Sequence, residues 1–424
     1  MKVSLSWLLE FVDLPTRDPS ELSRTLAMLG HEVEGVETIE IGWTDVVIAH
    51  VDEVVPHPNA DKVRLCRVSI GDDPIDVVCG AWNFEAGAKV AFAKPGAVLP
   101  GDFQIGVRTI RGVESHGMIC SEKELGLGDD AEGILVLEPD APVGEPLERL
   151  LPLPDVVFDL TITTNRPDAM SVLGIARDLA AWYGLELRVP DPDPPTVAGS
   201  PDMNVRIEDP DGNPRFHARQ VDGVSVRPSP LWMRHRLRLA GVRPISNLVD
   251  VTNYVMLELG QPLHVFDLDR LNGNELVVRR ATEGESLVTL DGVERRLAEA
   301  DIVICDADGP TSLAGTMGGE ESEVSDSTTR TLIEAASWDP PSIMHTSRRH
   351  GLRSEASARF ERGVDPELPP LAALRAAQLV LETAGGELRR DAVDVIARPF
   401  EPTVVRLTVD DVTRVLGEGF DRGR

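Results

Sequence analysis

Apolar and polar positions alternate along Val63-Arg64-Leu65-Cys66-Arg67-Val68 and along Lys89-Val90-Ala91-Phe92-Ala93, and Gly, Pro or Asp turn residues bound each run. A period of two over so few residues marks short strands, and several in succession predict a small β-barrel. The pattern differs on either side of this region. Asp18-Pro19-Ser20-Glu21 supplies an N-cap, a proline at the first helical position and a capping-box glutamate. Leu22, Leu26 and Leu29 follow at helical spacing, and Gly30 ends the run. A second helix is expected from near Asp168, after Pro167, with Leu173, Ala176, Ala180 and Tyr183 on one side and a stop at Gly184. Neither helix has enough partners to build a core alone. Residues 1–39 and 152–190 are therefore expected to pack together as a small, discontinuous N-terminal domain of helices and strands, with a barrel domain at 40–151 inserted between them.

Pro190-Asp191-Pro192-Asp193-Pro194-Pro195 reads as a stiff, extended linker and a clear domain boundary. Residues 200–400 then mix strand-like runs, Glu275 to Arg280 and Ile302 to Cys305, with a helical run from Leu371 to Ala384. That mixture predicts a large α+β domain. A new segment follows Pro399, and residues 401–424 read as the start of a further domain, truncated at Arg424. The fold class expected is thus multidomain α+β.

A chain of 424 residues is too long for one core. It has no run of about 18 apolar residues, so no membrane span is expected. The stretch from Met1 to Trp7 lacks a small-residue cleavage site, so no signal peptide is read. Cys66, Cys79, Cys120 and Cys305 form no CxxC pair and read as reduced, buried thiols of a cytoplasmic protein. The net charge of −29 argues against a general nucleic-acid-binding surface. The charge is uneven, however. From His57 to Gly126, eight Lys/Arg meet nine Asp/Glu, a net of −1; from Thr346 to Asp365, five Arg meet three acids, a net of +2. Any contact with nucleic acid should be local and sensitive to salt.

Small barrels of the OB type commonly hold nucleic acid on one face. Here the barrel region opens with His57-Pro58-Asn59-Ala60-Asp61-Lys62 and closes with Arg111-Gly112-Val113-Glu114-Ser115-His116-Gly117-Met118-Ile119-Cys120-Ser121-Glu122-Lys123-Glu124-Leu125-Gly126. With those motifs it resembles the tRNA-binding OB-fold of bacterial phenylalanyl-tRNA synthetase β subunits. The resemblance continues through Val242-Arg243-Pro244-Ile245-Ser246-Asn247, Gly260-Gln261-Pro262-Leu263-His264-Val265-Phe266-Asp267, Ala314-Gly315-Thr316-Met317-Gly318-Gly319, Leu332-Ile333-Glu334-Ala335-Ala336 and Arg353-Ser354-Glu355-Ala356. These motifs are similar, in order, to the editing (B3/B4-like) domain of the same subunits.

The resemblance implies a function. The chain would bind tRNA, support charging of tRNA(Phe), and hydrolyse tyrosine wrongly joined to it. An apolar phenylalanine pocket rejects an added hydroxyl by only about 100-fold in comparable cases, so a second site must select for the hydroxyl. A partly buried carboxylate can do so by accepting the phenol's hydrogen bond. Glu334 matches that position, and His264 falls in the same pocket, where it orients water or binds the terminal ribose. Arg243, Asn247, Pro262, Gly315, Gly318, Gly319, Ser354 and Ala356 match the rest of the pocket. Asn59, Asp61, Asn83, Ser115, Met118 and Ser121 are candidates for tRNA-facing loops, and Arg348 and Arg349 for phosphate contacts. Structural alternatives stand beside each. Glu334 can cap a strand end or pair with an arginine. His264 can be satisfied by a carbonyl or by Asp267. The glycines can form a tight turn, His57 to Asp61 can be simply a turn, and Glu355 with Arg359 suits a solvated helix face.

No GxSxG, HExxH or P-loop motif occurs. Hydrolysis is therefore expected by positioning a water beside an activated ester, with no covalent intermediate and no metal. The resemblance further implies a partner α subunit in a tetramer of two α and two β chains. ATP and magnesium would serve that holoenzyme and not this segment. The rival reading is a tRNA-binding and assembly scaffold whose editing pocket is inactive.

Overall fold

A computed structural model describes residues 1–71, 74–417 and 419. The strand Asp155–Thr161 lies between Lys2–Ser4 and Glu32–Ile39 and pairs antiparallel with both. The two segments that flank the barrel thus share one sheet. Ser4 caps α1 (Leu5–Phe11), its hydroxyl accepting from the Trp7 N–H. At α2 (Pro19–Met28), Asp18 accepts from the Ser20 N–H and Pro19 takes the first helical position. The expected capping-box bond to the Asp18 N–H is replaced: that N–H donates to the Thr16 hydroxyl instead. Glu21 contributes only its charge in the first turn.

α3 (Val172–Tyr183) begins later than expected. Pro167–Ala169 forms a separate 3-10 turn, and Ser171 is the cap, accepting from the Gly174 N–H at 2.9 Å. Serine and aspartate cap helices about equally well, but Asp168 falls inside the turn and Ser171 stands in extended backbone at the helix start. Gly174 permits this turn to lie directly on the helix, since a Cβ there would fall 2.0 Å from the Asp168 carbonyl oxygen.

In the barrel region, Val46–Pro56 is flanked by Arg64–Ser69 and Lys89–Ala93; Ile75–Cys79 continues one side, and Met118–Ile119 and Val136–Leu137 the other. The Ser115 hydroxyl accepts from the Val78 N–H at 3.0 Å and draws the hairpin strand Val113–His116 against Ile75–Cys79, so the sheet is nearly closed. Val46 and Ile48 face one core, while Val47, Ala49 and Val51 face another. Burial on both sides explains the unbroken apolar start of this strand, Val46 to Ala49.

Val98–Leu99 with Phe103–Gln104 and Ser286–Val288 with Glu294–Arg296 pair as separate hairpins, and most of the remaining strands form two larger sheets. One runs Thr196–Val197, Glu387–Arg389, Arg215–Asp222, Arg330–Ser337, Leu263–Asp267, with Val393–Ile396 also paired to Arg215–Asp222. The other runs Asn204–Ile207, Glu275–Arg280, Ile302–Cys305, Pro310–Leu313, Met317–Gly318. The helices are α4 (Leu231–Leu239), α5 (Asn247–Leu259), α6 (Pro340–His350), α7 (Glu355–Phe360) and α8 (Pro369–Ala384). The bounds expected for Glu275–Arg280 and Ile302–Cys305 agree with the strands found.

The Pro190–Pro195 run has no regular secondary structure, yet the segments on its two sides share a core. Trp7, Leu8, Phe158 and Leu179 lie in a single cluster with Val251, Tyr254, Ala372 and Val380. Trp7 stacks on Tyr254 at 4.6 Å between ring centroids. Arg236 of α4 donates to the Tyr254 hydroxyl at 2.7 Å and lies over Trp7 at 5.5 Å. The barrel is joined too: buried Glu122 accepts from Arg238 and forms an ion pair with Arg234, both of α4. Cys66, Cys79, Cys120 and Cys305 are free and buried, and burial pushes the Cys66 and Cys120 thiols up to about 12. Among the described residues no helix is long and apolar enough to cross a membrane. α9 (Val409–Leu416), capped by Thr408, buries no residue. Residues 418 and 420–424, which fall in the expected further domain, lie outside the described residues.

Glycine to alanine inside a helix ordinarily adds up to about 1 kcal/mol of stability. Gly174→Ala should do the reverse and cost about 1–3 kcal/mol through overpacking against Asp168. Urea denaturation checks the sign; a stabilised variant would refute the backbone contact.

Candidate active site

Antiparallel pairing of Leu263–Asp267 with Arg330–Ser337 sets His264 directly opposite Glu334. Both side chains line a cavity of about 220 Å³ between the two larger sheets. Pro262, Gly315, Gly318, Ser354 and Ala356 also line it. These positions come from distant parts of the chain, and the fold brings them together. The cavity is smaller than the roughly 300–1,000 Å³ of whole-ligand pockets, so it suits a side chain more than an entire nucleotide ester.

Glu334 is 6% exposed, and its Oε2 has no hydrogen-bond partner. Burial alone pushes its carboxyl up to about 8, with no cation offsetting it. Neither strand-end capping nor an arginine pair therefore accounts for this acid among the described residues. The sequence suggested a charged carboxylate; burial favours the neutral acid instead. His264 is only partly exposed, and burial brings its imidazole down to about 4. Its Nε2 is unpartnered, and its ring meets Phe266 edge-on at 4.4 Å. Asp267 does not engage it: that carboxylate accepts from the Thr328 hydroxyl and the Asp269 N–H.

The glycines differ. A Cβ on Gly318 would sit 2.4 Å from the His264 ring, so only glycine lets the imidazole occupy its place. Gly315 has φ +63° and lies against Trp338, Ile343 and Phe360. Gly319 is outside the cavity; a Cβ there would strike the Thr311 carbonyl oxygen at 2.5 Å, so it serves strand packing. Ser354 caps α7: its hydroxyl accepts from the Ser357 N–H and donates to the Thr316 carbonyl at 3.0 Å. That fixes the 314–318 loop beneath the cavity.

Arg243 and Asn247 also lie outside the cavity. Arg243 is exposed in the loop before α5. Asn247 is fully buried and consumed internally: it donates to the Ser225 and Thr383 carbonyls and accepts from the Arg227 N–H. Sequence reasoning missed Thr252, Asn253 and Met256 of α5, which form one wall. The available signal was the adjacent polar pair Thr252-Asn253 between buried Val251 and Tyr254. No group of three or more His, Cys, Asp or Glu residues is arranged to hold a metal among the described residues.

A family model described as the B3/4 domain matches residues 212–385, and one described as a putative tRNA binding domain matches residues 46–146. The phenylalanine–tRNA ligase beta subunit of Geobacter metallireducens is 49% identical over 419 residues, covering 98% of this chain and 52% of its own. That of Geobacillus kaustophilus is 46% identical over 434 residues, covering 100% of this chain and 54% of its own. This chain belongs to the phenylalanine–tRNA ligase beta-subunit family. It spans about half the length of these curated relatives. Among solved structures, an N-terminal fragment of the phenylalanyl-tRNA synthetase beta subunit from Pyrococcus horikoshii aligns over 64% of this chain and 75% of that one, with 16% identity and a TM-score of 0.33, too distant a likeness to bear on the fold.

In this beta-subunit chain most barrel candidates are engaged internally. Asn59 donates to the Arg111 carbonyl at 3.0 Å, and Asn83 clamps both backbone groups of Ile134. Ser115 and Ser121 are buried; Ser121 exchanges bonds with Glu124. Asp61 is exposed, and Met118 and Ser121 border a cleft of about 280 Å³. Arg348 is exposed, whereas Arg349 is tied to buried Asp301, as is His350 at 2.7 Å. Arg359 is not on a solvated face: it is 1% exposed, bonding the Met170 carbonyl and Glu355.

Two buried groups give a pH signature. The Glu334 acid is raised on folding, so its contribution is present below its unfolded value near 4.5 and lost as pH rises through about 8. The His264 imidazole is lowered, so its contribution is present above 6.5 and lost as pH falls through about 4. Between about pH 6.5 and 8 only Glu334 of the two titrates. Glu334→Gln should therefore gain stability relative to the native chain as pH rises across that window. Urea midpoints at several pH values check this; parallel curves would show that Glu334 is ionised throughout.

Proposed function

We propose that this chain binds tRNA through its barrel and hydrolyses tyrosyl-tRNA(Phe) in the cavity around Glu334. The carrying observation is the unpartnered, buried Oε2 of Glu334. A tyrosine hydroxyl would satisfy it, whereas a phenylalanine ring would leave it unpaired. An unsatisfied buried polar atom costs about 1–3 kcal/mol, equivalent to roughly five- to 150-fold discrimination. The neutral acid can donate as well as accept, so selection needs no charge.

Chemistry would then be hydrolysis by positioning. A water oxygen attacks the ester carbonyl, the ester C–O bond breaks, and the tRNA hydroxyl leaves with a proton. A pocket holding ester and water together supplies much of the rate. A neutral imidazole at His264 can accept a hydrogen bond from that water, although its depressed basicity makes it a weak proton acceptor. Asn253 faces the same cavity and can hold the amino group or the water. Arg243 and Arg348, both exposed, suit contacts with the tRNA end.

In this reading residues 1–39 with 152–190 form the discontinuous domain, 40–151 the OB-fold, 200–400 the editing domain and 401–424 the start of another. The chain acts in the cytoplasm within a ligase of two α and two β subunits. The α subunit carries aminoacylation with ATP and magnesium.

Single-turnover deacylation of tyrosyl-tRNA(Phe) and phenylalanyl-tRNA(Phe) tests the activity. The native chain should release tyrosine faster than phenylalanine, and Glu334→Ala should lose about five- to 150-fold in that ratio. Buffer-rate hydrolysis by this chain, and again when it is assembled with the α subunit, would refute editing and leave the scaffold reading. Gly318→Ala should cut tyrosine release by at least about tenfold, because its methyl displaces His264. Retained activity would show that the imidazole's position is immaterial.

A further inference from the structure

Several polar groups first considered for RNA contact in the barrel are spent within the protein, yet one large side chain at the same end is not. Trp82 is 60% exposed. It is also held firmly. The Arg64 guanidinium lies 4.8 Å from the Trp82 ring centroid and 4.7 Å from that of Phe84. Arg64 is itself 5% exposed and donates to the carbonyls of Ala81 at 3.0 Å and Phe84 at 2.8 Å. Its Nη1 reaches Glu85 at 3.2 Å. One cation thus shapes the 81–85 loop and backs one side of the indole, leaving the rest to solvent. An aromatic ring fixed before binding loses little entropy when a ligand stacks on it.

Exposed side chains nearby carry both signs: Lys62 and Arg111 stand beside Asp61 and Glu85. Gly80 lies beside Lys62 and Val63, a Cβ there falling 4.0 Å from the Lys62 carbonyl oxygen. Across the same loop, Asn59 holds the Arg111 carbonyl at the tip of the neighbouring hairpin. Lys62 and Arg111 are both exposed. An aromatic ring flanked by cations fits an unpaired base with its phosphates.

We infer that Trp82 is a stacking platform for an unpaired nucleobase of bound RNA, with Lys62 and Arg111 meeting the adjoining phosphates. The inference rests on the proposal that the barrel binds tRNA and names the surface that does so. Stacking of one base contributes enough that its loss weakens binding roughly five- to 150-fold. Phosphate contacts, unlike stacking, steepen the salt dependence.

The test measures binding of the whole chain to a fluorescently labelled tRNA(Phe) transcript at several salt concentrations. Trp82→Ala should weaken binding by that factor at every salt concentration, and Trp82→Phe should keep most of the affinity. The double variant Lys62→Ala, Arg111→Ala should flatten the salt dependence. Equal affinity of Trp82→Ala and the native chain, while the double variant is weakened, would overturn the stacking role and leave tRNA binding intact. Unchanged RNA affinity with lost assembly onto the ligase α subunit would mark Trp82 as a protein contact and also overturn it. No binding by the native chain at low salt would overturn the RNA reading and this inference together.

Discussion

Cross-strand register between Leu263–Asp267 and Arg330–Ser337 is the constraint on which the cavity depends. It places His264 against Glu334 and Phe266 against Leu332 on one side of the sheet. Val265 and Ile333 fall on the other side, in the core shared with α5 and α8. Phe266 and Leu332 belong to the opposite core, beneath the second sheet. A slip of one residue in either strand would send its own polar group, the acid or the imidazole, into the helical core and bring isoleucine or valine to the cavity. Two apolar cores of different membership therefore hold the register, and the polar pair is carried with it. The acid and imidazole need not stabilise the fold for their geometry to be well defined.

Placing both groups in apolar surroundings sets their chemistry. Neither has a partner to keep it charged, so burial drives the acid up and the imidazole down, and both are neutral near pH 7. A neutral pair leaves acceptor and donor positions free for a ligand hydroxyl or a water. It also leaves an oxygen of Glu334 and a nitrogen of His264 without a protein partner. That cost falls on the site and is carried by the surrounding packing, as expected where function and local stability conflict. Gly318 shows how close the conflict is: even a methyl group would occupy space taken by the imidazole.

The sequence made regular elements and the membership of the cavity legible to different degrees. Strands such as Glu275–Arg280 were readable because their composition and boundary residues agree. The start of α3 was not, because Asp168 and Ser171 are both capping types and only the Gly174 contact with the Asp168 carbonyl selects between them. Of the residues that motif matching gathered, His264, Glu334, Gly318 and Ala356 line one cavity, whereas Asn247 and Gly319 lie behind it. Spacing along the chain says nothing of such partners as Thr383 for Asn247 or Asp301 for Arg349. Their roles depend on contacts made across much of the chain. The same limit hid Trp82, whose meaning comes from the guanidinium packed beside it.

The cavity also leans on residues outside the two sheets that enclose it. Gly260, which ends α5 with φ +90°, lies 3.4 Å from the Ser171 side chain when a Cβ is placed on it. Arg359 of α7, almost wholly buried, donates to the Met170 carbonyl at 3.1 Å. One short turn before α3 therefore braces both α5, which carries Thr252, Asn253 and Met256, and α7, which carries Ala356. The shared core of Trp7, Tyr254 and Leu179 fixes that turn from below. A segment that sequence composition sets apart by a proline-rich run is thus among the cavity's supports. The walls would lose that brace if the segment beginning near residue 200 stood alone.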